Sequence, residues 1–289
     1  MRNNEDRLGP KPGEASDGVI PEVFNGGQAQ TGLSFSVPTE FVELPSAGRF
    51  YPEGHPLHGA KDLEIKFMTA KEEDILSSTA LIKRGVALDR LIDSIMVNKN
   101  IKGLSLLTGD RNAILVAARA SAFGSSYETI VECPACSSNE EHVFDLEEKK
   151  IVNNCTDQNF LAENKIKHDE ESGLFLIELP KSKVVVGVSL MTGHEESKLF
   201  AQNSNKKGKG ESVVTDQLMM IIKAVNGDDD RWTIKRFVGV MPISDSKHLR
   251  KLYSQLTPAV DLTQTFACSN CGHIEDMEVP FNTDFFWPG

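Results

Sequence analysis

The chain has 289 residues, 39% of them hydrophobic and 25% charged, with a formal net charge of −11. That size suffices for two modest domains, and the acidic balance argues against general nucleic-acid binding, where a basic footprint is expected. The opening residues lack the apolar core of a signal peptide, and apolar runs such as Ala113–Ala118 fall far short of the roughly 20 residues of a membrane span.

Five cysteines without a secretion signal point to a reducing compartment, where thiolates are free to bind metal. Residues 1–35, polar and poor in apolar side chains, predict a disordered or partner-ordered arm. A strand over Phe41–Leu44 leads into the turn-rich stretch Pro45–Gly59, which carries Phe50 and Tyr51. Aromatics in such a loop are candidates for partner contact. His55 and His58 have no Cys or carboxylate pair behind them and are not taken as metal ligands. After the alternating strand Leu63–Phe67, Thr69 and Glu72 form a capping box that opens a helix running to about Lys83. Leu88, Leu91, Ile92, Ile95 and Met96 mark the apolar face of a second helix. A third starts near Asp110, and its small residues, Ala117, Ala118 and Ser121, predict close helix packing.

In the second half, Leu174–Leu179 and Val184–Val188 read as strands, and Thr192 with Glu195 is another capping box. Gln202–Ser212 is expected to be a basic loop. Leu218, Ile221, Ile222 and Val225 predict a helix ended by Asn226, and Leu249, Leu252, Tyr253 and Leu256 another that ends before Pro258.

Two Cys-x-x-Cys pairs, Cys133/Cys136 and Cys268/Cys271, each lie between strand-like segments. Two such knuckles supply the ligands of a tetrahedral structural Zn²⁺ site, with no position left for a catalytic water. A dithiol redox pair is the rival, although it needs only one such motif. Cys155 is left over, with no base near it in sequence, and His273 is not counted as a ligand.

The spacing of the two pairs, 135 residues, recurs elsewhere. Glu43-Leu-Pro45 returns as Glu178-Leu-Pro180, and Ile114, Ala117, Ala118 and Ser121 fall on Leu249, Leu252, Tyr253 and Leu256. The capping boxes match at a shorter offset, as a loop of about a dozen residues allows. The expected fold is therefore α+β: two related repeats, 36–146 and 147–280, joined by a shared zinc ribbon built from the two hairpins. An aromatic tail, 281–289, follows, in which Phe285, Phe286 and Trp287 are candidates either for closing the core or for anchoring a partner. No nucleophile–base constellation stands out, so no catalytic residue is assigned.

Several stretches together carry a resemblance: Leu44–Leu57, Met68–Leu76, Gly109–Ala113, both Cys-x-x-Cys pairs, Asp245-Ser246 with Arg250, and Phe285-Phe-Trp-Pro288. They resemble a family of baseplate proteins of contractile-tailed, T-even-type bacteriophages, which includes hub subunits and hub assembly proteins. The resemblance spans about residues 40–289 and leaves out the N-terminal arm. It implies a non-enzymatic virion component, made in the host cytoplasm and placed in the tail baseplate, whose partners are other baseplate or tail proteins. It implies no small-molecule substrate. An assembly chaperone absent from the finished particle is the alternative within the family. A zinc-ribbon nucleic-acid module, favoured only by the basic loop at Lys206–Lys209, is the alternative from another class.

Overall fold

Alternating apolar side chains in Thr39–Glu43 (β1) and Asp62–Lys66 (β2) make an antiparallel pair that turns Val42, Leu63 and Ile65 into the core. These are the first elements of a computed structural model that describes residues 36–205, 213–280 and 285–286. The arm at 1–35, the basic loop at Lys206–Lys209 and Trp287 lie outside the described residues. Contacts divide the chain into Met1–Pro38 and Thr39–Gly289, and the second of these units holds every element described below.

The capping box opens the next element, Ala70–Ser77 (α1). Glu72 accepts from the Thr69 N–H at 3.0 Å and from its hydroxyl at 2.6 Å. The expected helix to Lys83 is in fact two, because Ser78 is extended (φ −69°, ψ 101°) and restarts the chain as Thr79–Lys83 (α2). Serine side chains favour caps over helix interiors, which explains the break. Ala87–Ile95 (α3) buries Leu91, Ile92 and Ile95, leaving Leu88 at its rim. Thr108–Phe123 (α4) is buried along most of its length. Its small residues bring backbones together: a Cβ at Gly109 would collide with the carbonyl of Pro258.

Ser126–Glu132 (β3) and Asn139–Asp145 (β4) form the first cysteine hairpin. Lys150–Val152 (β5) and Gln158–Glu163 (α5) lead to Lys167–Asp169 (β6), Leu174–Glu178 (β7) and Val185–Val188 (β8). After Gly193–Asn205 (α6) and Val213–Ile221 (α7) the chain turns to strand, Ile222–Val225 (β9), completing a four-stranded antiparallel sheet ordered β6-β7-β8-β9. A helix to Val225 was expected. The β-branched pair Ile222 and Val225 instead fills the open edge of β8, where Val186 pairs with Val225. Arg231–Val240 (α8), which the sequence left unassigned, is capped by Asp230 accepting from Thr233 N–H at 2.9 Å. Ile243–Leu256 (α9) leads through Ala259–Asp261 (β10), paired with β5, to the second cysteine hairpin, Gln264–Ala267 (β11) and Ile274–Met277 (β12). The fold is thus mixed α+β. No helix among the described residues is long and apolar enough to cross a membrane.

Hydrogen bonds recur in the two halves. Asp110 accepts from Ser46 N–H (2.9 Å) and Ser46 hydroxyl (2.6 Å), while Asp245, 135 residues on, accepts from Lys181 N–H (2.8 Å) and Ser182 N–H (2.9 Å). Both aspartates are fully buried and both hold the loop after a Glu-Leu-Pro. Glu195 accepts from the Thr192 N–H (2.9 Å) and hydroxyl (3.3 Å), as Glu72 does from Thr69. The junction between the halves lies at the starts of α4 and α6, where Gly193 N–H donates to Leu106 (2.9 Å) and Thr108 N–H to Met191 (3.0 Å). Arg111 reinforces it, paired with Asp89 at 2.6 Å and reaching Glu196 at 3.6 Å.

Tyr51 completes the Asp110 cluster. Its hydroxyl donates to Asp110 (2.7 Å) and accepts from Leu107 N–H (3.0 Å). Burial, then the facing carboxylate, raises its pKa, so it stays a neutral donor. Tyr51→Phe orphans the Leu107 amide and removes one donor from Asp110. The expected cost is about 1–3 kcal/mol, read as a Tm lower by roughly 2–8 °C in circular-dichroism melting.

Candidate metal centre

Each cysteine pair sits on a tight turn that the hairpin imposes. Cys133 N–H donates to Ser138 (2.9 Å) and Ser137 N–H to Cys133 (2.8 Å); Cys268 N–H donates to His273 (2.8 Å) and Gly272 N–H to Cys268 (3.0 Å). Ser137 and Gly272, equivalent in the two turns, share a positive φ of 56° and 71°. These turns aim both sulfurs of a pair toward the other hairpin. Cys133 Sγ lies 3.8 Å from Cys271 Sγ, and Cys136 Sγ lies 3.7 Å from Cys268 Sγ. All four sulfurs fall within 4.8 Å of one another, with Cys133 and Cys268 buried and Cys136 and Cys271 exposed.

The donor set and its spacing fit a tetrahedral metal. Zn–S bonds near 2.3 Å place the sulfurs of a tetrahedron about 3.8 Å apart, close to the two cross-hairpin distances. A disulfide would need about 2.05 Å. Cys133, Cys136, Cys268 and Cys271 together can hold one metal ion, and the shell they form is closed.

Glu140, which the sequence reading passed over, tightens this centre. From β4 of the first hairpin it crosses to the second knuckle, accepting from Ser269 N–H (2.9 Å) and Asn270 N–H (3.2 Å), and from the Cys268 thiol (3.1 Å) while that sulfur keeps its proton. The Ser269 amide and the Cys268 thiol are the leading causes that hold its carboxyl at about 2, so it stays charged. The position 135 residues on is Glu275, which pairs with His273 (3.1 Å). The first knuckle offers one amide fewer, because Pro134 has no N–H. That proline is the signal in the sequence: only the second turn presents two free amides to an acceptor.

The sulfurs differ in proton affinity. The Ser138 hydroxyl, then its amide, lowers Cys136 to about 6. At Cys271 the His273 amide pulls the pKa down, but the neighbouring Cys268, burial and the facing thiols outweigh it and push it up to about 12. A bound cation displaces the remaining protons, as thiolate is the ligating form.

The aromatic candidates lie elsewhere. Tyr51 is buried in the Asp110 cluster, and Phe50 is half-buried against Phe175 and His168. His55 stacks on Tyr51 and His58 bonds the Tyr51 carbonyl at 2.7 Å, so neither is near the sulfurs. Phe285 and Phe286 are buried beneath the first hairpin, where Phe285 meets Tyr127 edge-on at 5.2 Å. Buried Arg119 holds this segment by donating to the Phe285 carbonyl (2.7 Å). Cys155 is also buried, and its thiol donates to Leu256.

Compared with known proteins, the sequence matches a family described as "T4 bacteriophage base plate protein" over residues 39–287. No curated protein and no solved structure matches the chain.

Glu140→Ala removes the only carboxylate link between the hairpins at the centre among the described residues. A metal affinity lower by roughly 10–100-fold is expected, measured by competition with a chromophoric chelator.

Proposed function

The chain belongs to this family of phage base plate proteins, and from that premise we propose that it is a structural, non-enzymatic part of the baseplate hub, shaped by one Zn²⁺. The match along residues 39–287 carries the reading. A tail baseplate is built from protein–protein contacts, so its partners are other baseplate or tail proteins, met first in the host cytoplasm and then in the particle. The closed four-cysteine shell supports a structural rather than a catalytic metal, since no ligand position is left for water or substrate.

In the same reading, the two halves, 36–146 and 147–280, descend from one α+β unit. The paired aspartates, capping glutamates and cysteine turns support this, each repeating its hydrogen bonds at a similar spacing. Zinc then staples the ends of the two halves. A structural zinc contributes on the order of 10 kcal/mol in small peptide sites. Here the junction at Leu106 and Gly193 also joins the halves, so metal loss loosens the ribbon before it separates them. Of the aromatic contact candidates, Tyr51, Phe285 and Phe286 are occupied within the chain. Phe50 borders a surface cleft of about 890 Å³, which supports it as a contact residue, while Trp287 lies outside the described residues.

Particle composition and metal content test this. Mass spectrometry of purified particles is expected to find the chain in the finished baseplate. Finding it only in hub intermediates would replace the structural role with that of an assembly chaperone. Metal analysis is expected to give one zinc per chain. Cys136→Ser should abolish stoichiometric zinc and lower the Tm by roughly 10 °C; unchanged zinc content and melting would sink the stapling role. Because ligation needs thiolates, protons compete with zinc for the four sulfurs, and zinc affinity should fall as pH falls from neutral to acid. A chelator-reported titration from neutral to acid pH checks the sign.

A further inference from the structure

Charge is divided unevenly over the surface. The cysteine hairpins, 125–148 and 261–278, contain no Lys or Arg. The outer face of the first hairpin exposes Glu128, Glu132, Glu141 and Asp145 around a centre of Ile130 (66% exposed) and Val143 (55%). Residues 231–256 are the opposite. They carry Arg231, Lys235, Arg236, Lys247, Arg250 and Lys251, and their one acid, Asp245, is buried and bound to the Lys181 and Ser182 amides. Just before α8, Asp228 and Asp230 turn their carboxylates to the local amides of Asp230 and Thr233.

The apolar residues of the two surfaces are also matched. On α8, Trp232 (64% exposed), Arg236 and Val240 (78%) follow one another at i, i+4 and i+8. On α9, Ile243 (77% exposed), Lys247 and Lys251 do the same. The side chains of Lys235, Arg236, Lys247 and Lys251 have no ion pair among the described residues. Exposed aromatic and aliphatic side chains rimmed by polar groups mark interaction surfaces.

We propose that these two surfaces bind each other between copies of this chain, the acidic first-hairpin face of one copy seating on the basic α8–α9 face of the next. Each face stays exposed within its own chain, so the two do not meet intramolecularly. A second copy offers the opposite charge and a matching apolar centre at once. The contact joins two different patches and is therefore heterologous. Repeated, it closes into a ring or extends as a filament, according to the rotation between successive copies. The inference rests on the two surfaces alone and stands apart from the baseplate assignment.

Sedimentation velocity on the full, metal-loaded chain tests it. At low ionic strength the weight-average mass should at least double with rising concentration, and fall back near the monomer when salt reaches about 0.5 M. Two surface variants separate this geometry from other kinds of association. Trp232→Ser with Val240→Ser disables one face; Ile130→Ser with Val143→Ser disables the other. Each variant alone should stay monomeric, and an equimolar mixture should form a 1:1 dimer and nothing larger, since only one intact face of each kind remains. A wild-type chain that is monomeric throughout overturns the proposal. So does association that neither variant disturbs. A monomer whose α8–α9 face instead retards DNA or RNA also overturns it, making that face a nucleic-acid site.

Discussion

Four sulfurs from hairpins 135 residues apart must arrive within 4.8 Å of one another, and the rest of the chain is arranged to deliver them. A peptide-sized zinc finger relies on its metal to fold, because little else holds its ligands together. Here the ligand turns are set by their own backbone hydrogen bonds. The hairpins are carried on helices, the largely buried α4 before the first and the half-buried α9, through β10, before the second. The starts of α4 and α6 pair across the molecule through Leu106, Thr108, Met191 and Gly193. The sulfurs are therefore preorganised to receive a metal ion.

The interior uses charge sparingly, and among the described residues each fully buried charged side chain has a hydrogen-bond partner. Asp110 and Asp245 each hold a loop that follows a Glu-Leu-Pro, and a buried carboxylate would be costly in any other setting. Their environments differ: burial raises Asp110, whereas at Asp245 the Ser182 and Lys181 donors outweigh burial and lower it. Arg119 binds two carbonyls, those of Gly124 and Phe285, and lies over Phe123 and Tyr127, so one cation fastens the tail segment beneath the first hairpin. Arg111 does the same for the junction of the halves. Glu140 applies the principle at the metal centre, where its carboxylate caps the turn of the opposite hairpin.

This economy inside leaves the strongly charged stretches outside, segregated by sign between the ribbon and the α8–α9 pair. A baseplate protein acts through the surfaces it shows to its neighbours. Polarised surfaces set orientation and suppress wrong pairings more than they add raw affinity. The aromatic residues that first suggest contact, Tyr51, Phe285 and Phe286, are drawn inward because each has an internal partner waiting: Asp110 for the phenol, Tyr127 and Arg119 for the tail. Trp232, unremarked in the sequence, is one of the aromatics left in water, as are Phe41 and Phe200.

The amino-acid sequence by itself determined the α+β class, the four cysteines that cluster, the capping glutamates and the two hairpins. Each of these is a local pattern whose physics is complete within a few residues. Tertiary structure decided the rest, for reasons that no local window holds. Ile222–Val225 became a strand because the edge of β8 was open to it. α8 went unassigned because its stripe, Trp232, Arg236 and Val240, faces solvent and mixes charge with apolar side chains. Asp110 and Asp245 stand at helix starts where any acid is welcome; only the fold brings the post-Pro45 and post-Pro180 amides to them. The clustering of the sulfurs belongs to both levels. The sequence spaced the two knuckles alike, but only packing across 135 residues could bring Cys133 to 3.8 Å from Cys271.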